Sequence, residues 1–329
     1  MSAVDDTTQS FDVYSRLFAI KKIIGQHPSV HTMLDVGGHP GMLAQSLGDT
    51  CQVFTMDLPS YGCPPYVRGG GETLPFASQS VDAVVASDVV EHIPTALRAT
   101  MLAEMVRVAR ELVIVSGPWA TAGVAEAEAC VCELRDKAGL FADRWLEEHR
   151  LNGLPEISTT WDFFTQNGWS CQLVAENDLI QWFSMFAMEI LTATMPDGDL
   201  PWKEFMPAFN TCLLRSDTKA PAYRHILIAA CHKAETVAEN WQGMYTPDAE
   251  TAVVSGIHAI AKLFGELLSR TRRQAGAGAD AAYVNQLEMA INSMKAQLEE
   301  RKHGGAECVV CKSVRTMWEK CFRKGNDSK

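Results

Sequence analysis

The feature that most constrains this chain is an apolar segment that runs directly into a glycine-rich turn. Residues 33–41 read MLDVGGHPG, and residues 53–57 read VFTMD. The first pattern predicts a buried β-strand, a turn where a ligand can approach the backbone closely, and the start of a helix. The second predicts a neighbouring strand that ends in an acid. Together they predict a nucleotide-binding crevice at the carboxyl ends of parallel strands.

The charges around this turn indicate which nucleotide it binds. A dinucleotide places its negative pyrophosphate at the turn and the helix N-terminus, where the carboxylate of Asp35 would repel it. S-Adenosylmethionine has no phosphate and carries an ammonium group, a sulfonium group and a ribose diol, which suit carboxylate partners. In this interpretation Asp57 binds the ribose hydroxyls. The alternative is a structural turn in another kind of α/β domain.

A second group of motifs follows the turn. Residues 72–76 read ETLPF, residues 80–94 read SVDAVVASDVVEHIP, and residues 112–116 read LVIVS. In this order, and together with the glycine turn, they resemble the class I S-adenosylmethionine-dependent methyltransferases that act on small molecules. The resemblance covers about residues 30 to 120 and implies that S-adenosylmethionine is the cofactor.

The resemblance also implies a set of cofactor-binding residues in the turn and after the strands. They are Asp35, Gly37, Gly38, His39, Gly41, Asp57, Leu58, Glu72, Thr73, Leu74, Ser87 and Asp88. The chain departs from the family pattern at His39, which stands at the usual middle glycine, and at residues 69–71, which are all glycine where the family often has an Asp. These departures put the family's contacts to the methionine part and to the adenine in question.

Methyl transfer requires an acceptor atom in line with the leaving sulfur, and a base when the acceptor is a hydroxyl group. His92 is the first candidate for this base, because it follows the strand whose carboxyl end would face the methyl group. A capping or packing role at a helix start is the alternative for His92. His149 is the second candidate, because it belongs to a segment that would form a lid over the acceptor. A contact within that lid is the alternative role of His149.

The acceptor class rests on a looser resemblance. Residues 145–155 read WLEEHRLNGLP, and with the variant glycine turn they resemble bacterial methyltransferases that modify cell-surface glycans. This implies a saccharide or a related small metabolite as acceptor. Four aromatic residues would either stack on the acceptor or belong to the core: Trp145, Trp161, Trp182 and Phe183. A quinone, lipid or natural-product acceptor, and a degenerate domain that acts as an assembly module, are the alternatives.

The order of the segments predicts an α/β fold with a doubly wound, Rossmann-like sheet. The resemblance to class I methyltransferases implies seven mostly parallel strands and an antiparallel last strand at 223–230. Residues 1–235 would form this methyltransferase domain, with a lid insertion around 120–168. A Pro-rich connection around 201–207 would precede the last strand.

The remainder of the chain is predicted to form a helical and coiled-coil tail. Its parts are a helical extension (236–275), a short coiled coil (281–302) and a Cys-containing basic tail (303–329). The coiled coil rests on apolar residues at spacings of three and four: Val284, Leu287, Ile291, Met294 and Leu298. The coiled coil would bind a second copy of the chain or an assembly partner. The alternative is that it packs on its own domain. Four residues of the tail could in principle bind zinc: His303, Cys308, Cys311 and Cys321. They lack the paired spacing of a zinc site, so no metal is expected there.

Composition argues against several classes of partner and location. The net charge of −11 argues against a nucleic-acid substrate. No segment reaches the roughly 18 apolar residues of a membrane span, and the N-terminus lacks the pattern of a signal peptide. Ten scattered cysteines favour reduced thiols over a disulfide framework. A cytoplasmic protein with a small-molecule or saccharide acceptor is therefore expected.

Overall fold

The structure is a computed structural model that describes residues 6–58, 65–195, 199–212, 221–231 and 247–274. The strands are β1 (Thr32–Val36), β2 (Gln52–Asp57), β3 (Tyr66–Arg68), β4 (Val81–Ser87), β5 (Ala109–Pro118), β6 (Ser170–Asp178) and β7 (Ala222–Ala230). The helices are α1 (Phe11–Gly25), α2 (Met42–Leu47), α3 (Thr95–Val108), α4 (Ala122–Ala138), α5 (Arg144–Asn152), α6 (Ile157–Gln166), α7 (Leu179–Ala193), α8 (Asp199–Cys212) and α9 (Pro247–Gln274). A 3₁₀ turn, Val90–His92, follows β4.

The described strands form one sheet in the order β3-β2-β1-β4-β5-β7-β6. Neighbouring pairs from β3 to β5 are parallel, and β7 is antiparallel to both β5 and β6. The predicted fold class, with its antiparallel last strand, is confirmed. Because β1, β2, β4 and β5 run in one direction, their carboxyl ends meet at one edge, where ligands of such sheets bind.

Helices cover both faces of the sheet, which explains why its central strands are apolar without interruption. Successive residues of β4 point to opposite faces: Val84 packs with α3, and Val85 packs with α1 and α2. The same alternation holds for Val113 and Ile114 of β5. The core beside these central strands therefore lies in two layers, one on each face of the sheet, and these layers hold the strand ends in position.

The long helix α9 packs against α4 and α7. Its buried residues recur at intervals of three and four and share one cluster with Val131 and Trp182: Val253, Ile257, Ile260, Phe264, Leu267 and Leu268. The predicted helix in this extension is confirmed, whereas the domain boundaries remain predictions. The heptad residues 284–298 and the tail thiols lie outside the described residues.

One connection was predicted wrongly. The Pro-rich segment around 201–207 belongs to α8, with Pro207 inside the helix. Phe205, Met206 and Phe209 are buried in the same cluster as α9, and Asn210 donates to the backbone carbonyls of residues 7 and 9. Tertiary burial therefore outweighs the helix-breaking tendency of proline here. Among the described helices, none is both long and apolar enough to cross a bilayer.

Candidate functional site

The glycine turn after β1 is held between β2 and the segment after β4. The N–H of Gly37 donates to the carbonyl of Met56 at 2.7 Å, and the N–H of Gly41 donates to the carbonyl of Gly38 at 2.6 Å. Gly37 and Gly41 have φ angles of +75° and +91°, which favour glycine. A Cβ on Gly37 would lie 2.5 Å from a methyl group of Val89. The turn therefore requires glycine both for its conformation and for its packing.

Asp35 lies beneath this turn and is 4% exposed. Burial raises the pKa of its carboxyl to about 7, although the guanidinium of Arg16 opposes the change, and the nearby Asp57 adds to it. A Cβ on Gly38 would stand 2.0 Å from the Oδ2 atom of Asp35. The carboxyl group is thus enclosed and poorly solvated, an environment in which a cationic ligand is a favourable partner for the charged form.

Asp57, at the end of β2, faces the other side of the turn. Its Oδ2 accepts the backbone N–H of His39 at 3.0 Å, and its Oδ1 accepts the N–H of Leu58 at 2.6 Å. The His39 ring lies edge-on to Tyr66 with a centroid distance of 6.3 Å. The structure therefore brings the two predicted acids and the glycine turn together at one place on the edge of the sheet.

Asp88 follows β4 at a φ of +53° and is bound by two arginines. Arg224 donates to both of its carboxylate oxygens at 2.9 and 2.7 Å, and Arg16 donates to Oδ2 at 2.7 Å. Burial would raise the pKa of Asp88, but the two guanidinium groups outweigh it and lower the pKa to about 2. Asp88 is therefore a charged anchor at the carboxyl edge of the sheet.

Arg224 is only 1% exposed and joins three elements. Besides Asp88, its guanidinium contacts Asp12 of α1 at 3.0 Å and Glu176 of β6 at 3.2 Å. Burial would disfavour the charge, but the surrounding carboxylates raise the pKa of Arg224 well above its usual value. The network fastens α1 across the edge of the sheet beside the predicted cofactor site.

The two predicted histidines lie side by side. The rings of His92 and His149 have a centroid distance of 4.8 Å, and Trp145 lies 5.0 Å from His92. The Nδ1 atom of His92 is 3.1 Å from Oε2 of Glu148. Burial, and then the neighbouring His149, lower the pKa of His92, so its neutral form is favoured.

His149 is buried, and its Nδ1 atom lies 2.9 Å from Oε1 of Glu128. The same oxygen accepts the hydroxyl of Tyr223 at 2.9 Å. Glu91 lies next to His92 in the chain and is also buried. Burial, followed by repulsion from Asp88, raises the pKa of Glu91 well above its usual value. Acidic and imidazole groups are therefore concentrated just beyond the end of β4.

The predicted lid segment is fastened to this cluster in the structure. Asn152, at the end of α5, donates to the carbonyl of His92 at 2.9 Å, and Thr95 donates to the carbonyl of Asn152 at 2.9 Å. Arg98 donates to the carbonyls of Ile93, Asn152 and Gly153. Helix α5 thus covers the histidines from one side, while its role as a lid stays a prediction.

The sequence profile of the methyltransferase domain family matches residues 34–114, which span β1 to β5. The chain therefore contains a methyltransferase domain. An uncharacterized methyltransferase of Mycobacterium avium (strain 104) is 35% identical over 98 residues, which cover 26% of this chain and 38% of that protein. A second uncharacterized methyltransferase, from Mycobacterium sp. (strain JLS), is 38% identical over 93 residues, which cover 25% of this chain and 36% of that protein. The chain thus spans less than two fifths of the length of these relatives.

Two solved structures are also similar. Magnesium protoporphyrin IX methyltransferase from Synechocystis PCC 6803 is 14% identical, with 67% of this chain and 84% of that chain covered and a TM-score of 0.41. A SAM-dependent methyltransferase from Archaeoglobus fulgidus is 12% identical, and the match covers 65% of this chain and 94% of that chain with a TM-score of 0.40. Neither similarity bears on which residues form the site.

The other predicted cofactor-binding residues differ in their burial. Leu58, Glu72 and Thr73 are exposed. Leu74 is buried in the core, and its N–H donates to Glu104 at 2.8 Å. The hydroxyl of Ser87 is buried without a hydrogen-bond partner among the described residues. Contacts between these residues and a cofactor stay predictions.

Several residues that contact the predicted site residues were not singled out from the sequence. They are Arg16, Glu128, Glu148 and Arg224. A signal existed for Arg224, because this charged residue and the neighbouring His225 stand in the mostly apolar strand β7. Glu148 stands next to His149 in the chain, but its pairing with His92 depends on how α5 docks. Nothing in the local sequence marks Arg16 or Glu128.

Proposed function

We propose that this chain is an S-adenosylmethionine-dependent methyltransferase that acts on a hydroxyl group of a saccharide or a related small metabolite. The observation that supports the cofactor is the pair of acids on the two sides of the glycine turn. Asp35 is poorly solvated, so the ammonium group of the ligand would stabilise its charged form. Asp57, at the tip of β2, has further acceptor capacity for the ribose hydroxyls.

S-Adenosylmethionine supplies an electrophilic methyl group on a positively charged sulfur. In this proposal His92 and α5 hold the acceptor hydroxyl in line with that methyl group. His92 accepts the hydroxyl proton as the oxygen–carbon bond forms, and Glu148, 3.1 Å from its other ring nitrogen, stabilises the resulting charge. Trp145, half-exposed against the His92 ring, would stack on the sugar.

A second class of acceptor, a quinone, lipid or apolar natural product, is supported by a different observation. Three large apolar side chains are exposed on and before α5: Phe141 at 93%, Trp145 at 55% and Leu151 at 78%. Exposed large apolar side chains often mark a binding surface where they are contiguous, and these three lie close together in the chain. They would contact an apolar acceptor next to the histidines.

Calorimetry with S-adenosylmethionine tests the cofactor. The chain should bind it, and Asp57→Ala should weaken binding at least about 10-fold, because two hydrogen bonds to a charged group are lost. Asp49→Ala is the matched control, since Asp49 is an exposed acid in the turn after α2 and should leave the affinity unchanged. A chain that does not bind the cofactor would contradict the proposal and favour an assembly module of the same fold.

The acceptor is tested by incubating the chain with a methyl-labelled donor and fractionated host extract. Label in polysaccharide or in small saccharides supports the first acceptor class, and label in the lipid fraction supports the second. Deletion of residues 145–155 should remove labelling while sparing cofactor affinity. Equal loss of both would contradict the role of α5 as an acceptor lid.

A further inference from the structure

Three metal-ligand side chains meet between the 3₁₀ turn Val90–His92 and α5. Glu91, His92 and His149 each offer one ligand atom, and these atoms all lie within 4.8 Å of one another. One carboxylate and two imidazoles form a donor set that suits zinc and similar cations. We propose that these three side chains bind one divalent transition-metal cation, with Zn²⁺ as the ion that suits them best.

The burial of these groups supports the proposal. Glu91 is 1% exposed, and both of its carboxylate oxygens lack a hydrogen-bond partner among the described residues. The Nε2 atom of His149 is likewise buried without a partner in the described part of the chain. Buried polar groups are normally satisfied, so three such atoms aimed into one place indicate a missing ligand. The nearby Arg98 does not satisfy Glu91, because its guanidinium donates to backbone carbonyls.

Each histidine also has a carboxylate close to its Nδ1 atom. Nδ1 of His149 lies 2.9 Å from Glu128, and Nδ1 of His92 lies 3.1 Å from Glu148. Histidines that bind metals usually donate their other ring N–H to a carboxylate or carbonyl, which leaves the Nε2 lone pair free for the ion. His149 has this arrangement, whereas Nδ1 of His92 lies near the Glu148 carboxylate without a hydrogen bond to it among the described residues.

The surrounding backbone makes room for the ion and fixes the ligands. A Cβ on Gly117 would lie 2.9 Å from the carboxylate of Glu91, so glycine at this position keeps the space open. Glu91 and His92 are adjacent after β4, whereas His149 comes from α5 and is tied to them by the bond from Asn152 to the carbonyl of His92. The site therefore joins two elements that are already docked.

Three protein ligands leave one position of a tetrahedral cation open. This point rests on the proposed function: the acceptor hydroxyl would take the open position, and the cation would lower the pKa of that hydroxyl so that its proton is lost to water. A nitrogen that binds a cation cannot accept a proton at the same time. In the metal-bound form the cation would therefore replace His92 as the group that activates the acceptor.

The test is titration of the full chain, freed of metal by a chelator, with Zn²⁺ in a calorimeter. One Zn²⁺ should bind to this site, whereas Mg²⁺, which prefers oxygen ligands, should bind far more weakly. Glu91→Gln and His149→Ala should each weaken Zn²⁺ binding at least about 10-fold. Circular dichroism checks that the variants fold, and calorimetry with S-adenosylmethionine checks that they keep the cofactor site. These measurements distinguish a failure of the proposed Zn²⁺ site from a failure of the proposed methyltransferase function.

Two other groups that contain metal-ligand residues provide matched controls. His258→Ala removes a ligand from the more exposed group formed by Glu126, Cys130 and His258. A triple change of Cys308, Cys311 and Cys321 to Ser removes the tail thiols. Both variants should keep the Zn²⁺ site that His149→Ala weakens. Unchanged Zn²⁺ affinity in Glu91→Gln and His149→Ala, or its loss only in the control variants, would overturn the proposal. Full turnover after the cation has been removed would overturn its activating role.

Discussion

The Cα atom of Gly38 faces the carboxylate of Asp35 so closely that a Cβ at position 38 would stand 2.0 Å from Oδ2. Gly38→Ala is therefore expected to displace this carboxylate and to weaken S-adenosylmethionine binding at least about 10-fold, the loss typical of a charge-assisted hydrogen bond. Gly25→Ala is the matched control, because no atom lies within 4 Å of its added Cβ. Calorimetry that finds equal cofactor affinity for the two variants would contradict the role of Asp35.

Asp35 should also make the stability of the ligand-free protein depend on pH. Its pKa is about 7 in the folded chain and about 3.9 in an unfolded one. The folded state therefore holds more protons between these values, and the free energy of unfolding falls as pH rises from about 4 to 7. At pH 8 the charged, buried Asp35 should cost on the order of 4 kcal/mol.

Asp35→Asn removes this titration. In urea unfolding without cofactor, the variant should be the more stable protein at pH 8. Its advantage should grow by roughly 2–3 kcal/mol between pH 5 and pH 8. The same variant should bind S-adenosylmethionine poorly, since the amide cannot pair with the ammonium group. A stability difference that does not change with pH would show that Asp35 is ionised at an ordinary pKa.

The site could be predicted from the sequence where it depends on local geometry. Asp35, Gly37, Gly41 and Asp57 lie within one strand–turn–helix–strand unit, and each has a residue type that its backbone position or its charge requires. The last strand was predicted from its apolar pattern. Its antiparallel direction was predicted from the resemblance to class I methyltransferases, because an apolar pattern does not indicate the direction of a strand.

The rest of the site depends on contacts between distant segments. Arg224 meets Asp12, Asp88 and Glu176, which are 212, 136 and 48 residues away along the chain. His92 and His149 were each chosen individually, but their contact depends on how α5 docks. Helix α8 was missed for a similar reason, since burial of residues such as Phe209 outweighs its prolines.

The buried Arg224 network should contribute strongly to stability. Arg224→Met leaves the buried carboxylates of Asp88 and Glu176 without their main counter-charge, so the free energy of unfolding should fall by about 3–5 kcal/mol. Arg110→Met is the comparison, because the Arg110 side chain is 47% exposed in its ion pair with Asp82 and should contribute at most about 1 kcal/mol. Chemical unfolding of both variants at pH 7 measures the difference; equal losses would mean that the Arg224 network adds little.

The exposed aromatic residues around α5 allow the two acceptor classes to be separated. Trp145 lies against His92, whereas Phe141 lies before the helix and is almost fully exposed. If a sugar stacks beside His92, Trp145→Ala should lower kcat/KM for the acceptor roughly 3- to 10-fold, the usual contribution of an aromatic contact, while Phe141→Ala has no effect. An apolar acceptor spread along the helix should be sensitive to both changes and to Leu151→Ala. Since none of the three touches the glycine turn, cofactor affinity should stay constant throughout; if it falls in parallel with turnover, α5 supports the fold and does not bind the acceptor.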